Sequence, residues 1–224
     1  MYKRQYGLFL LDRRFLAPPK LLNKTEVTLP EGTEWWDDYY TITQVDDKTV
    51  MIGEPRYHQK NHSMLIIGDG RALLFDAGPG VHDIFPVVES LTQLPILLVY
   101  SHMHYDHLGM RKDGEKARSR VCDVAMAKLP FIERQIYNGC YLRPTIWQHL
   151  GGVEGYKRPL IQVDQWLEIG AEIDLGGRKL EVLYTPGHAD DHIALFERER
   201  NYLFAADLVG TEPVYAFLPT TSLD

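Results

Sequence analysis

A group of histidine and aspartate side chains lies within the segment SHMHYDHLGM, residues 101–110. His102 and His104 are two residues apart, so an extended backbone points both imidazoles to the same side. Asp106 and His107 follow directly. Imidazole nitrogens and carboxylate oxygens are ligands that proteins use for zinc, and less specifically for iron and manganese. The segment therefore predicts half of a metal site, and a polar loop that is merely rich in histidine is the alternative.

Three further polar residues follow apolar runs that are typical of strands. His188 comes after LYTPG, Asp207 after YLFAA and Asp76 after LLF. Taken singly, such residues more often solvate a turn or cap a helix. Taken together with residues 102–107, they indicate loops at strand ends that converge on one site.

The chain before residue 100 predicts a run of β-strands that would carry these residues. Short apolar or alternating stretches, separated by the turn signals DDK and GDGR, predict strands in YTITQV, KTVMIGE, SMLIIGD, RALLFDAG and PILLVY. Residues 81–94 carry apolar side chains at helical spacing, which requires Pro86 to lie in the first turn of a helix. The uninterrupted apolar run of PILLVY indicates a strand that is buried on both faces.

The second half of the chain predicts helices and then two hairpins. The pattern of residues 123–150 favours helices with breaks at Pro130, Gly139 and Pro144, and this segment is the candidate lid or substrate wall. Strands return after residue 164, with hairpin turns at DLGGRK and RERN. This order of elements predicts an α/β fold in which two sheets pack face to face with helices outside.

The composition argues against several classes of protein. Lys and Arg number 24 against 31 Asp and Glu, which gives a formal net charge of −7 at pH 7. The most basic segment, residues 110–120, is interleaved with Asp113 and Glu115, so we expect no nucleic-acid partner. We expect no membrane partner either, since no apolar run approaches the roughly 18 to 20 residues that span a bilayer. The absence of a signal-peptide pattern, with Cys122 and Cys140 outside any CxxC, predicts a cytoplasmic protein.

On these residues the chain resembles the metallo-β-lactamase superfamily over about residues 41–218. That family carries a strand ending in Asp-Thr-Gly or similar, then HxHxDH, a Gly-His and an Asp after an apolar strand. The matches here are DAG, HMHYDH, PGH and AAD. The resemblance implies an αββα sandwich of two mixed sheets with helices on the outer faces. We expect residues 1–40 to be an N-terminal extension and residues 41–224 to be the metallo-β-lactamase-like domain.

The resemblance also implies a binuclear metal site with two Zn²⁺ ions, with iron or manganese as alternatives. A hydroxide between the metals would attack a carbonyl carbon, and Asp106 would orient it and pass a proton to the leaving group. Asp76 would accept the N–H of a ligand histidine and fix its tautomer. The implied metal ligands are His102, His104 and His188 for the first metal, Asp106 and His107 for the second, and Asp207 as the bridge.

One member of the family's pattern is missing. A last histidine normally follows the bridging aspartate by several dozen residues, whereas 17 residues follow Asp207 and none of them is His. We expect a chain truncated at its C-terminus that binds the second metal weakly. The opening MYKRQ agrees, since the end of a common transposon sequencing adapter translates to it. His192 is the other candidate for this ligand, but it lies in the apparent strand HIALF, which favours a structural role.

The same residues narrow the chemistry that the family resemblance implies. True β-lactamases of the family generally lack the bridging aspartate that Asp207 would supply, whereas glyoxalase II-like hydrolases and lactonases have it. His104 stands where diiron flavoproteins carry Glu, and Gly210 stands where lactonases of acylated homoserine lactones carry Tyr. We therefore expect a metal-dependent hydrolase that cleaves a thioester, lactone or ester of a small molecule. The alternatives are a β-lactamase, a mono-iron oxidoreductase similar to the persulfide dioxygenases, and a non-catalytic binding domain.

Overall fold

The computed structural model describes residues 21–57, 59–104, 106–109, 121–134, 136–137, 141–142 and 161–209. Within these residues the two α-helices are α1 (Phe85–Leu91) and α2 (Pro130–Glu133), and single 3₁₀ turns span Lys24–Glu26 and Ala206–Leu208. The strands in chain order are β1 (Thr33–Trp35), β2 (Thr41–Asp46), β3 (Thr49–Gly53), β4 (His62–Ile67), β5 (Ala72–Phe75), β6 (Ile96–Val99), β7 (Val121–Ala127), β8 (Ile136–Tyr137), β9 (Tyr141–Leu142), β10 (Ile161–Gln162), β11 (Gln165–Leu167), β12 (Glu172–Asp174), β13 (Lys179–Tyr184), β14 (Ile193–Glu197) and β15 (Tyr202–Phe204).

The larger sheet has the strand order β1-β2-β3-β4-β5-β6-β7-β11. Strands β1 to β5 pair in antiparallel fashion. Strands β5, β6, β7 and β11 are parallel, and α1 lies on the crossover from β5 to β6. Every residue of β5 and β6 is buried, as expected of central parallel strands that are covered on both faces. Because β5 and β6 are parallel neighbours, the loops that follow them leave the same edge of the sheet.

The smaller sheet has the order β12-β13-β14-β15 and is antiparallel in all of its pairs. Gly176 and Gly177 join β12 to β13 with φ values of 80° and 71°, a left-handed turn that glycine adopts without steric cost. Side chains of both sheets, such as Leu65 and Leu98 of the larger and Leu180 and Leu195 of the smaller, belong to one buried cluster. The two sheets therefore pack as a sandwich, and β8, β9 and β10 form a separate three-stranded ribbon.

The strands and hairpins predicted from the sequence are confirmed, and so is the fold class. Helix α1 begins at Phe85 with Pro86 in its first turn, as the sequence required. It buries Phe85, Val87 and Val88, so it covers one face of the larger sheet. Residues before 41 join the same unit, since β1 pairs with β2 and both Tyr39 and Tyr40 are buried in the common core. The domain boundary at residue 40 stays a prediction.

The helical interpretation of residues 123–150 is wrong for most of their described part. Residues 121–127 form β7, which lies between β6 and β11, and helix is limited to Pro130–Glu133. The reason is that residues 124–127 are all buried, and a strand covered on both faces shows no period that separates it from a buried helix. The predicted breaks at Gly139 and Pro144, and the comparison made at Gly210, lie outside the described residues. Among the described residues, none forms a helix long and apolar enough to span a membrane.

Candidate metal centre

Asp76 organises the loop that carries the histidines. It follows β5 with φ of 65°, a left-handed conformation that Asp tolerates better than most residues. Its Oδ1 accepts the Ser101 main-chain N–H at 2.7 Å, and its Oδ2 accepts the Ser101 hydroxyl at 2.7 Å. The same Oδ2 lies 2.8 Å from His107 Nδ1. One buried carboxylate therefore fixes both ends of residues 101–107.

A second set of contacts brings the loop after β5 against the histidine loop. The main-chain N–H of Ala77 donates to His107 O at 3.0 Å, and that of Gly109 donates to Gly78 O at 2.7 Å. A Cβ atom on Gly109 would lie 2.1 Å from Gly80 N, so no other residue fits there without moving the backbone. The close approach depends on these glycines.

Three buried imidazoles present an Nε2 atom that has no hydrogen-bond partner among the described residues, namely those of His102, His107 and His192. The Nδ1 atom of His102 lies 2.9 Å from Ser101 Oγ, and Nδ1 of His107 faces Asp76. Because a carboxylate only accepts, His107 Nδ1 donates to Asp76, which leaves Nε2, 3.3 Å from Asp207 Oδ2, as the nitrogen available to a metal. A buried nitrogen without a partner destabilises a fold unless a ligand binds it.

The ligand atoms form two overlapping groups. The first group is His102, His104 and His188, and the second is His102, His107 and Asp207, with the atoms of each group within 4.8 Å of one another. His188 Nε2 lies 2.9 Å from His104 Nδ1. The Asp207 side chain is 39% exposed, whereas that of His107 is 4% exposed, so the centre opens to solvent on the Asp207 side. The structure thus brings together five of the six ligands that the sequence indicated.

The sixth residue, Asp106, is adjacent but belongs to neither group. Its Oδ2 lies 3.5 Å from His107 Nε2 and accepts two side-chain amides. Asn61 Nδ2 donates to this oxygen at 3.0 Å and Gln59 Nε2 donates at 2.9 Å. Sequence reasoning missed both amides, because they lie some 45 residues before Asp106 in a segment, YHQKNHS, that has no ligand spacing.

Asp191 was also missed, and it joins the two halves of the centre. Its Oδ2 accepts the Met103 main-chain N–H at 2.9 Å, and Ile193 N donates to Ser101 O at 2.8 Å. Burial raises the pKa of Asp191 to about 6. These bonds hold the loop before β14 against the histidine loop after β6. Only the fold brings Asp191 and Met103 together, so no local sequence signal could have indicated the pair.

His192 is fully buried next to the centre. Its Nδ1 lies 2.8 Å from Thr185 Oγ1, and its ring centroid is 5.1 Å from that of His102. It belongs to neither group of ligand atoms, although its Nε2 also lacks a hydrogen-bond partner among the described residues. The structural role expected for it stays a prediction.

Burial and neighbouring charges shift the pKa values of the clustered histidines in opposite directions. Burial and the neighbouring imidazoles hold the pKa of His102 well below its ordinary value, and burial lowers the pKa of His104 to about 4. Burial opposes protonation of His107 too, but the carboxylates of Asp76, Asp106 and Asp207 outweigh it and raise the pKa of His107 well above its ordinary value.

The charges favour the ionised form of Asp207. Burial disfavours its charge, but His107 and the other imidazoles outweigh burial and hold the pKa of Asp207 below its usual range. Without a metal, the protein groups therefore favour neutral imidazoles at His102 and His104 and a protonated His107 beside the ionised Asp207. A bound cation would displace that proton, since metal ligands must be deprotonated. The donor set of nitrogens and carboxylate oxygens fits a zinc-type metal.

A sandwich of two sheets with a cluster of histidine and aspartate side chains at its strand ends defines a protein with a candidate metal centre. Residues 59–222 match the family model of the Metallo-beta-lactamase superfamily, and the chain belongs to that superfamily. The predicted family membership is confirmed.

Curated relatives and a solved structure agree with this assignment. The chain is 25% identical over 193 residues to the acyl-coenzyme A thioesterase MBLAC2 of Gallus gallus, which covers 77% of this chain and 66% of the relative. It is 28% identical over 151 residues to the hydroxyacylglutathione hydrolase of Francisella tularensis, covering 66% of this chain and 47% of the relative. The chain thus spans between about half and two thirds of the length of these relatives.

One solved structure with a similar fold is a metallo-beta-lactamase from Pontibacter korlensis. Its TM-score is 0.56 at 18% sequence identity, with 82% of this chain and 79% of that chain covered. At this identity the likeness shows the fold alone.

Proposed function

We propose that the protein is a metal-dependent hydrolase that cleaves a thioester or a related ester of a small molecule with the help of two zinc ions. The observation that carries the proposal is the pair of overlapping ligand groups: with His102, His104 and His188 assigned to one cation, His107, Asp207 and the adjacent Asp106 remain as donors for a second. Zinc, when bound, polarises a substrate carbonyl and lowers the pKa of a water molecule towards neutrality.

Each residue has a role in the proposed centre. His102, His104 and His188 would hold the first zinc, and His107 with Asp106 would hold the second. Asp207 Oδ2 is 3.3 Å from His107 Nε2 and 3.4 Å from His188 Nε2, so Asp207 would be within reach of both ions.

Two carboxylates do further work in the proposed reaction. Asp76 keeps His107 Nδ1 protonated through their 2.8 Å contact, so Nε2 faces the metal. Asp106 would be the catalytic carboxylate: it would orient the attacking water, accept its proton and pass that proton to the leaving group. Its position beside His107 Nε2 supports this role.

The activities for which the relatives are named support the substrate class. One is an acyl-coenzyme A thioesterase and another a hydroxyacylglutathione hydrolase, and both names describe the cleavage of a thioester. A thiolate is a good leaving group, so hydrolysis needs less acid assistance than hydrolysis of an amide. We therefore place thioesters before lactones and simple esters.

The test is a substrate panel on zinc-loaded protein. The panel holds an acyl-coenzyme A, a hydroxyacylglutathione, an acylated homoserine lactone, a nitrophenyl ester, a β-lactam and a glutathione persulfide. We expect the highest kcat/KM for a thioester, loss of turnover after chelation and recovery with added zinc. Fast turnover of the β-lactam but of no thioester contradicts the proposal. Oxygen consumption with the persulfide and one iron per chain would do so too, and so would zinc-loaded protein that turns over nothing in the panel.

A further inference from the structure

Two side chains of the segment between β3 and β4 donate hydrogen bonds to Asp106, the one proposed metal ligand that lies outside the two ligand groups. Asn61 Nδ2 donates twice to Asp106, to the main-chain O at 3.1 Å and to Oδ2 at 3.0 Å. Binding of both atoms by one amide fixes the carboxylate relative to its own backbone. Gln59 Nε2 adds a donor at 2.9 Å to the same Oδ2. Hydrogen bonds to an ionised carboxylate are about twice as strong as those between neutral groups.

The orientation of the Asn61 amide follows from its neighbours. Both atoms that it faces are acceptors, so the NH₂ group and not the oxygen must point to Asp106. The amide oxygen is consequently buried without a hydrogen-bond partner among the described residues. A buried acceptor without a partner destabilises the fold. Packing alone does not explain an amide at this position, whereas the need to hold Asp106 does.

The turn that carries Asn61 is itself well anchored. The main-chain N–H of Glu54 donates to Asn61 O at 2.9 Å, and the N–H of Tyr57 donates to Glu54 O at 3.0 Å. Tyr57 and Asn61 are buried, whereas Gln59 is exposed. Asn61 is therefore a fixed donor, while the exposed Gln59 amide exchanges with water at little cost.

We propose that Asn61 is a positioning residue that selects the orientation of Asp106 in which this carboxylate can bind the second metal. The proposal rests on the proposed function. With Oδ2 occupied by two amides, Oδ1 is the oxygen left for a cation. Without Asn61, the Asp106 side chain rotates and the carboxylate loses the position in which its Oδ2 lies 3.5 Å from His107 Nε2. The first metal, which Asp106 does not touch, is then unaffected.

The experiment is a cobalt(II) titration of metal-free protein, followed by visible absorption, for the parent, Asn61→Leu and Gln59→Leu. Leucine has the branched shape of asparagine without its donors, although it is somewhat larger. We expect Asn61→Leu to weaken the second cobalt step about 10- to 100-fold, the range known for changes beside metal ligands. The first step should change less than about threefold, and Gln59→Leu should change both steps less than about threefold.

Several results would overturn the inference. They are an unchanged second step in Asn61→Leu, equal weakening of both steps, an equal loss in Gln59→Leu, or a parent that takes up no second equivalent. Thermal unfolding of the metal-free proteins shows whether the fold is intact, and Asn61→Ala replaces Asn61→Leu if the latter does not fold. Failure of the proposed function would give a different result, namely a parent that binds two metal ions but turns over no substrate. The titration would then still test the role of Asn61, because it measures metal binding and not activity.

Discussion

Two clusters of buried polar side chains differ in how many of their hydrogen-bonding atoms have a partner. In the first, the Arg178 guanidinium donates to both Glu197 oxygens, at 2.9 and 2.5 Å, and also to Lys48 O and Thr49 Oγ1. All three of its nitrogens have partners. In the second, the histidine centre, Nε2 of His102 and of His107 has no hydrogen-bond partner among the described residues.

The difference indicates which cluster is structural and which is functional. A closed network of hydrogen bonds joins the smaller sheet to β3 of the larger one and needs nothing from outside. An open cluster, with nitrogens aimed into a space shared with a carboxylate, is incomplete until a ligand binds. Buried charge alone does not mark a site, since Arg178 and Glu197 are as buried as His102. Unsatisfied buried donors and acceptors distinguish the two clusters.

The largest expected effect on activity is that of replacing His188, which belongs to a ligand group. His192 of the same loop belongs to neither group and provides the comparison. We expect His188→Ala to lower kcat/KM for a thioester by about 10³-fold or more, because the stabilisation that a metal supplies, several kcal/mol, is lost. His192→Ala should keep the metal content and most of the activity. Equal loss of metal from His192→Ala would make His192 a ligand and break the distinction.

The closed network should respond in the opposite way. Arg178→Met leaves Glu197 buried with only Arg200 as a partner, so we expect the free energy of unfolding to fall by about 3 kcal/mol, as for other broken buried pairs. Metal content per folded chain should not change. The double variant Arg178→Met/Glu197→Gln should lose less, since no buried charge is left unpaired. Urea unfolding with parallel metal analysis tests this, and a large loss of metal would contradict it.

Glu54 is a buried carboxyl near the centre, and its titration should make the stability of the fold depend on pH. Burial raises its pKa to about 8, with Asp106 adding to the shift and the 2.6 Å bond from the Tyr39 hydroxyl opposing it. A raised pKa stabilises the fold fully below the unfolded value of 4.5, and this stabilisation is lost as pH rises through about 8.

Glu54→Gln keeps the shape and removes the titration. In the metal-free protein, its stability relative to the parent should therefore rise between pH 5 and pH 9, by about 1 kcal/mol or more. Denaturant unfolding at several pH values gives the difference directly. A constant difference between variant and parent across this range would show that Glu54 does not titrate there.

Local sequence patterns predicted the strands and much of the centre. The HxHxDH spacing, together with polar residues after apolar runs, indicated His188 and Asp207 although they lie far apart in the chain. The reason is that each residue sits at a strand end, which the sequence shows locally.

Partners that only the fold brings together could not be found in this way. Asn61 meets Asp106 across 45 residues, and Asp191 meets Met103 across 88. Neither pair has a spacing that a local pattern contains. The strand β7 was missed for a related reason, since its burial on both faces comes from neighbours in the sheet. The errors are thus confined to features that tertiary contacts decide.

The central claim is that the histidine cluster is completed by metal, and elemental analysis of the parent and of His102→Ala tests it most directly. His102 is a proposed ligand of the first ion and its ligand atom lies within 4.8 Å of those of His107 and Asp207, so its loss should remove the first ion and weaken the second. We expect about two zinc ions per chain in the parent and a clear loss in His102→Ala that retains the fold by circular dichroism. A parent without metal, or a variant that keeps all of it, would contradict the account.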